Sequence, residues 1–249
     1  MRVVSLWSRL LIASAVCWSV GCATTRAPVP PENHDPLEGM NRGIFWFNDE
    51  VDQHVLEPVA EGWDKITSDA VKNSVSNFFQ NLRFPINAVN NLLQGKPGQS
   101  ASEVGRFAVN TTVGMFGFFD PASVWGLEPH HEDFGQTLGC WGVPPGPYLV
   151  LPLLGPSNPR DTVGLVADSM CSVQHYFVPF IYSLGARATN VVNERSLVLR
   201  EVRQIKEASL DYYVAVRNAY NQHRAAQIAD EKDMSQQEQE DLYETEDTQ

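Results

Sequence analysis

The sequence predicts an all-α protein, and three observations support that fold class. Apolar residues recur at three- and four-residue spacing in several segments, which is typical of amphipathic helices. The closing segments, over 186–229, alternate apolar and charged faces as surface helices do. Three other segments, 107–119, 134–159 and 169–186, carry no formal charge, yet each is too short for a membrane span or is broken by proline or glycine.

The chain opens with a segment typical of a secretion signal. Arg2 and Arg9 precede an apolar run over 10–20, which ends at Gly21 and Cys22. The segment resembles bacterial lipoprotein signals, so we expect residues 1–21 to be a signal peptide and Cys22 to be the acylated lipid anchor. Such signals usually have Leu or Val where this chain has Ser19. Cleavage by ordinary signal peptidase, which leaves Cys22 a plain thiol, is the alternative.

Residues 22–36 are rich in proline and predict a lipidated tether. Ala23 follows the anchor where aspartate would signal retention in the inner membrane, so the resemblance implies the outer membrane, facing the periplasm. A helical domain is expected over 37–229. Residues 230–249 contain nine acidic residues against one lysine and predict a disordered, acidic tail.

The first predicted helix covers 37–60. A second begins near Ser68 and is interrupted at Pro85, and a third run ends at Gly95. Ser100 and Glu103 have the spacing of a capping box, which predicts a helix start there. Asp161 is expected to cap the helix that follows the charge-free segment 134–159.

Segment 134–159 holds six prolines and five glycines in 26 residues and cannot be one helix. Irregular backbone is tolerated at membrane depth where protein or a watery cavity covers it. The segment therefore favours a protein that lies in one leaflet, with its irregular backbone turned inward. The core of an ordinary globular domain is the alternative. Cys140 and Cys171 could form a disulfide or stay as separate thiols.

Several function classes are disfavoured. The chain has 18 basic and 30 acidic residues, a net charge of −12, and this balance repels the phosphate backbone of nucleic acids. The run HHED over 130–133 suggests a metal, but adjacent side chains diverge and make a poor cage. Neither Gly-x-Ser-x-Gly nor a P-loop pattern occurs in the sequence. We expect no enzyme, no metal and no nucleic-acid partner.

An ordered series of motifs resembles the MlaA (VacJ) family of outer-membrane lipoproteins. The motifs are DPLEGMNRGIFWFNDEVDQHVLEPVAEGW over 35–63, NLRFPINAVNNLLQG over 81–95, RFAVNTTVGMFGFFDPAS over 106–123, EPHHEDFGQTLGCWGVPPGPYLVLPLLGPSNPRD over 128–161, and YYVAVRNAYNQHR over 212–224. The resemblance implies an all-helical ring in the inner leaflet of the outer membrane, with an amphipathic channel. Where the family has EPHRFG, this chain has EPHHEDFG.

The function implied by the resemblance is retrograde phospholipid transport. Misplaced phospholipids would leave the outer leaflet through the channel and reach a soluble periplasmic carrier, MlaC, and the ring would associate with trimeric porins. The covalent lipid and the transported phospholipid are the ligands expected, with no cofactor. An envelope-tethering or porin-binding lipoprotein that moves no lipid is the alternative function.

Two sets of residues are candidates for the transport site. The channel candidates are Asn41, Arg42, Phe45, Phe47, Asn48, Asn87, Asn90, Asn110, Arg160 and Asp161. Hydrogen bonds between helices are the alternative for the asparagines, and an ion pair with Asp161 or Asp120 is the alternative for Arg160. The candidates for a gating hairpin are Gly139, Gly142, Gly146, Pro147, Tyr148, Leu151, Pro152 and Gly155.

Overall fold

The computed structural model describes residues 35–172 and 179–230, and most of them are helical. The predicted all-α class is confirmed, since the sheet within these ranges is a single pair of three-residue strands. The predicted signal peptide, most of the tether and the tail beyond Asp230 lie outside the described residues.

The first predicted helix is confirmed and is longer than expected. Helix α1 covers Glu38–Val51, a π-helical turn covers Asp52–Leu56, and α2 covers Glu57–Ile66. Pro58 lies in the first turn of α2, where it lacks an N–H and its ring would clash with the carbonyl one turn earlier. The wider π turn accommodates that ring without ending the helix.

Three more helices follow: α3 over Asp69–Leu82, α4 over Phe84–Leu93 and α5 over Pro97–Thr112. The predicted start after Ser68 and the break near Pro85 are confirmed. The predicted capping box is wrong, because α5 begins at Pro97 and Ser100 lies inside it. The Ser100 hydroxyl donates to the carbonyl of Ala88 at 2.8 Å. Proline in the first turn fixes the backbone angle that a helix start needs.

The chain between 113 and 133 is irregular. Met115, Phe116 and Gly117 all have positive φ angles, of 52°, 63° and 92°. At Gly117 a Cβ would lie 2.6 Å from the Asn81 side chain, so glycine is required there for space as well as conformation. The short helix α6 covers Pro121–Val124 and is capped by Asp120.

Segment 134–159 forms a helix and then a hairpin. Helix α7 covers Phe134–Cys140, and strands β1, Leu149–Leu151, and β2, Gly155–Ser157, pair antiparallel. Leu149 lies opposite Ser157, Val150 opposite Pro156 and Leu151 opposite Gly155. The prediction of a Pro/Gly-rich hairpin is therefore confirmed.

Helix α8 covers Pro159–Cys171, and its cap differs from the prediction. The side chain of Asn158 caps it by accepting the backbone N–H of Asp161 at 2.9 Å, so the assignment of Asp161 as the cap is wrong. Helices α7 and α8 approach closely: a Cβ at Gly164 would lie 2.3 Å from the backbone nitrogen of Gly135.

Three helices close the described chain: α9 over Phe180–Leu197, α10 over Leu199–Ala208 and α11 over Tyr212–Ala229. The contacts between elements run in a closed circuit. Helix α1 continues into α2, which contacts α9, and each of α9, α3, α4, α7 and α11 contacts the next in that order. The hairpin then contacts both α11 and α1 and closes the circuit.

The distribution of polar and apolar residues is inverted relative to a water-soluble globular protein: polar side chains are buried and large apolar side chains are exposed. Within residues 35–172 and 179–230, the buried set is mostly polar or charged, and its largest apolar members are Tyr148, Val150 and Tyr213. Large apolar side chains are exposed on most helices, for example Trp46 at 64%, Met170 at 64% and Ile181 at 67%. None of the helices in these ranges is long and apolar enough to cross a bilayer.

Candidate functional site

Two asparagines of α1, Asn41 and Asn48, form hydrogen bonds with the backbone of the hairpin over 148–153. We call this contact the hairpin seam. Asn41 is fully buried; its amide donates to the carbonyl of Tyr148 at 2.9 Å and its Oδ1 accepts from the N–H of Val150 at 3.0 Å. Asn48 repeats the pattern with Leu151 and Leu153, at 2.9 and 2.8 Å. Each amide thereby pairs both a donor and an acceptor of the hairpin backbone.

Aromatic side chains surround the seam. Tyr148 of the hairpin packs against Tyr213, with ring centroids 6.1 Å apart, and Phe45 of α1 meets Tyr213 edge-on at 5.5 Å. The Arg42 guanidinium lies 4.4 Å from the Tyr213 ring centre and forms two hydrogen bonds with Asp211. These contacts join α1, the hairpin and α11 into the main apolar cluster of the described chain.

A row of buried amides lines one face of α4. The Thr137 hydroxyl donates to Asn90 at 2.9 Å, and Gln94 donates to Thr137 at 3.2 Å and to Glu132 at 2.7 Å. Low-dielectric surroundings strengthen such bonds but make any unmade bond costly. The row connects α4 to α7 through side-chain hydrogen bonds.

Asp161 is the centre of a buried ionic cluster, the Asp161 network, which comprises Asp133, Asn158, Arg160, Asp161, Tyr220 and Arg224. Asp161 accepts hydrogen bonds from Asn158 and Tyr220 at 2.6 Å and from Arg160 and Arg224 at 2.9 Å.

Burial opposes ionisation of Asp161, but hydrogen bonds from Arg160 and Arg224 outweigh it and lower its pKa to about 2. Arg224 also forms a bidentate pair with Asp133, both bonds 2.6 Å long, and the pKa of Asp133 is lowered by Arg224 despite its burial. The network therefore joins Arg224 of α11 to Asp133, which caps α7, and to Asp161 of α8 by charge-assisted hydrogen bonds.

A polar pocket lies where α3, α4 and α5 meet the loop that carries α6. We call it the Glu103 pocket; its cavity volume is about 20 Å³, which is room for one or two water-sized groups. Its lining includes Phe84, Asn87, Glu103, Arg106, Phe107 and Asp120. The rings of Phe84 and Phe107 stack with their centroids 4.2 Å apart, so the pocket has an apolar wall facing polar groups.

The predicted channel residues do not form one cluster. Asn41, Asn48 and Phe45 belong to the hairpin seam and its surroundings, Arg160 and Asp161 to the Asp161 network, and Asn87 and Asn110 to the Glu103 pocket. Phe47 is 43% exposed. Contact of these residues with lipid stays a prediction.

Hydrogen bonds between elements and an ion pair were the alternative roles for the polar candidates, and several of these residues have them. Asn41, Asn48 and Asn90 bond between elements, and Arg160 forms the ion pair with Asp161, 2.9 Å long, while Asp120 pairs with Arg106 at 2.8 Å.

The hairpin candidates also fall into different settings. Gly142, Gly146 and Gly155 have positive φ angles, as turns require. Gly139 lies inside α7, where a Cβ would come 2.8 Å from Ile228, so packing explains that glycine. Tyr148 is buried, whereas Pro147 and Pro152 are exposed and Leu151 is half-buried. A gating role for these residues stays a prediction.

Sequence reasoning missed several residues of these clusters. The sequence pattern predicts a helix cap at Glu103, and it does not distinguish Thr137, Tyr220 or Arg224 as site residues. A signal was present in α11, because Tyr220 and Arg224 are four residues apart and share one helix face. Their partners Asp133 and Asp161 are distant in sequence, so the pairing itself depends on the tertiary fold.

The described part of the chain contains no group of three or more His, Cys, Asp or Glu side chains arranged to hold a metal ion. Cys140 and Cys171, both within that part, are not joined by a disulfide.

The fold and these clusters define a class of protein: an all-helical chain with a polar interior, an apolar exterior and a docked hairpin. Residues 33–227 match the model of the MlaA lipoprotein family. The chain belongs to the MlaA lipoprotein family.

Relatives support this membership. An uncharacterized protein of Rickettsia felis is 39% identical over 198 residues, 79% of each chain. The intermembrane phospholipid transport system lipoprotein MlaA of Escherichia coli (strain K12) is 37% identical over 209 residues, 82% of this chain and 81% of that one. The protein of the same name from Haemophilus influenzae is 31% identical over 243 residues, 93% of each.

A solved structure described as the structural basis for maintenance of bacterial outer membrane lipid asymmetry is also similar. It is 36% identical, with a TM-score of 0.70, and the match covers 79% of this chain and 100% of that one.

Proposed function

We propose that this protein is a lipoprotein of the outer membrane of a Gram-negative bacterium that removes mislocalised phospholipids from the outer leaflet and passes them to a soluble periplasmic carrier. Phospholipids would pass through an amphipathic channel, and the protein would maintain lipid asymmetry rather than catalyse a reaction. The names of the relatives support this proposal. They describe transport-system lipoproteins and nothing catalytic.

The observation that carries the proposal is the inverted distribution of polar and apolar residues. Exposed apolar area of this extent is unfavourable in water but favourable against lipid tails. Buried asparagines and ion pairs give the interior the polarity that a phospholipid head group needs. A protein embedded in one leaflet satisfies both conditions.

Two features support embedding in the inner leaflet. The predicted lipid anchor at Cys22 would hold the chain at the membrane, and several acyl chains bind far more firmly than one. Exposed aromatic residues such as Trp46 and Trp125, at 64% and 61%, are of the kind enriched at membrane interfaces. Part of the same apolar surface would contact trimeric porins, and a carrier similar to MlaC would receive the lipid on the periplasmic side.

The experiment that tests the proposal measures surface phospholipid on intact cells. Cells lacking the protein, cells carrying it, and cells carrying Cys22→Ala are treated with added phospholipase, and the cleaved lipid is quantified. We expect more cleavage in the deletion strain and reversal by the wild-type protein alone. Equal cleavage in the first two strains would contradict the proposal.

The hairpin seam suggests how the channel is controlled. Neutral hydrogen bonds hold the hairpin to α1, and we propose that its movement gates or shapes the lipid path. The double variant Asn48→Cys with Leu153→Cys would lock the hairpin to α1 after oxidation. Transport should stop on oxidation and return on reduction, while each single variant should be insensitive to oxidant. Full transport by the oxidised double variant would exclude gating by the hairpin.

A tethering protein that binds porins without moving lipid is the second candidate, because an exposed apolar surface also suits a protein partner. The two functions differ in what the purified protein carries. Mass spectrometry of the detergent-solubilised protein should find about one phospholipid per chain if it is a channel. Protein that co-purifies with a porin but without phospholipid would favour tethering.

A further inference from the structure

The Glu103 pocket contains a buried carboxylate whose charge no basic side chain balances by direct contact. Glu103 is 5% exposed. It accepts hydrogen bonds from the Asn87 amide at 3.2 Å and from the backbone N–H of His130 at 2.7 Å. Within the described residues no Lys or Arg lies within 4.0 Å of it, and Nδ1 of His130, at 3.9 Å, is beyond hydrogen-bonding distance. A buried charge in this state is costly unless a cation pairs with it.

A second, independent observation points to a missing hydrogen-bond donor. Asn87 is 1% exposed and lines the same pocket, and its Oδ1 accepts no hydrogen bond from any described group. The carboxylate of Glu103 can only accept, so it fixes the NH₂ of Asn87 toward itself and leaves Oδ1 as the unpaired atom. Buried acceptors in native proteins are nearly always paired.

The other charges of the pocket are already balanced. Arg106 donates to Asp120 at 2.8 Å and to the Ser123 hydroxyl at 2.9 Å. Asp120 also accepts from Asn110 at 2.8 Å. The groups left unpaired are therefore the charge of Glu103, Asn87 Oδ1 and His130 Nδ1, which lies 3.9 Å from the carboxylate and makes no hydrogen bond.

We propose that the Glu103 pocket binds a primary ammonium group, and that this group is the amine of an ethanolamine phospholipid. An ammonium supplies one positive charge and three N–H donors, which match the carboxylate and the amide oxygen. A water molecule would satisfy Asn87 but not the charge. Ca²⁺ takes six to eight oxygen ligands and Mg²⁺ keeps several waters. The described residues also contain no group of three or more His, Cys, Asp or Glu side chains arranged to hold a metal ion. The stacked rings of Phe84 and Phe107 form the apolar wall against which the methylene groups of the head group lie.

The proposal rests on the proposed function, since it names the head group that the transport site prefers. The test uses the full-length, lipidated protein in detergent and phospholipids with identical acyl chains. Their head groups are ethanolamine, its N-methyl and N,N-dimethyl derivatives, choline and glycerol. Free glycerophosphoethanolamine is a soluble source of the same ammonium.

We expect wild-type protein to bind the ethanolamine lipid about tenfold more tightly than the choline lipid, since one charge-assisted hydrogen bond has that order of effect. Affinity should fall stepwise as methyl groups replace N–H donors. Glu103→Gln keeps an acceptor for His130 but removes the charge, and it should bring the ethanolamine-to-choline ratio close to one with choline binding unchanged. Glu194→Gln, which alters an exposed carboxylate bonded to Asn190, is the matched control and should keep the wild-type ratio.

Each other outcome has a definite meaning. Equal binding of all five lipids by the wild type would overturn the ammonium site and leave the transport function intact, and this measurement needs no variant. An ethanolamine preference that survives in folded Glu103→Gln would also overturn it. If no lipid binds but glycerophosphoethanolamine binds in a Glu103-dependent way, the site takes a soluble amine and the lipid function fails. If neither binds, both proposals fail.

Discussion

The hairpin seam and the Asp161 network both join distant segments of the chain, but by different interactions. At the seam, neutral side-chain amides of α1 bond to backbone groups of the hairpin. In the network, carboxylates and guanidinium groups bond to one another in a buried setting. Removal of one charge from a buried network costs much more than removal of a neutral bond. The comparison indicates a rigid joint between α7, α8 and α11 beside a hairpin that neutral hydrogen bonds hold to α1.

The largest effect is expected for Asp161→Ala. The substitution leaves Arg160 and Arg224 buried with fewer partners, and the free energy of unfolding should fall by about 3–5 kcal/mol. Denaturant titration of the detergent-solubilised protein, followed by circular dichroism, measures this. Glu61→Ala, which removes an exposed partner of Arg203, is the control and should change stability far less. Equal losses for the two variants would show that the network is not the rigid joint.

Acid should weaken the network before it affects the seam. The pKa of Asp161 is lowered from 3.8 to about 2 in the folded protein, so its stabilisation is complete above about pH 4 and is lost as the pH falls toward 2. The contribution is about 2 kcal/mol by linkage.

The free energy of unfolding of the wild-type protein, measured between roughly pH 5 and pH 2, should fall as Asp161 becomes protonated. The loss should be smaller in Asp161→Asn, which lacks the titrating carboxyl. An identical acid profile in the two proteins would contradict the assignment.

Asn41→Ala should have an intermediate effect. It leaves the carbonyl of Tyr148 and the N–H of Val150 unpaired in a buried place, and each unsatisfied group costs about 1–3 kcal/mol. We expect a moderate loss of global stability, because Tyr148 and Val150 belong to the main apolar cluster. Wild-type stability in this variant would mean that the seam is not a structural contact.

The smallest and most local effect is expected for Asn48→Ala. Its partners, Leu151 and Leu153, lie at the half-buried and exposed end of the hairpin, so water can replace the lost bonds. Global stability should fall by about 1 kcal/mol or less. Amide hydrogen exchange should nevertheless accelerate at 151–155 and stay unchanged in α11. Faster exchange in both regions would show that the hairpin and the network open together.

Much of the secondary structure could be predicted from the sequence. The helix start near Ser68 and the helix boundary beside Pro85 follow from local chemistry, because proline and apolar spacing act within a few residues. The capping box at Ser100 failed for a tertiary reason. Ser100 bonds to Ala88 on the neighbouring helix, and Glu103 faces Asn87 instead of the helix start.

The candidate sites were predictable as residue types but not as groupings. Asn41, Asn87 and Asp161 stand out in the sequence as polar residues among apolar neighbours, yet the structure distributes them over three separate clusters. Pairing partners 16 to 109 positions apart decide which cluster each joins. No local pattern carries that information.

The sequence by itself determined that the chain is helical, that segment 134–159 cannot be one helix, and that its motifs are similar to those of the MlaA family. These properties depend on backbone conformation and residue order, which are local. Only the tertiary structure decided that asparagines are buried while aromatic and aliphatic residues are exposed. Burial depends on which faces meet across distant segments, and in this protein those meeting faces are polar.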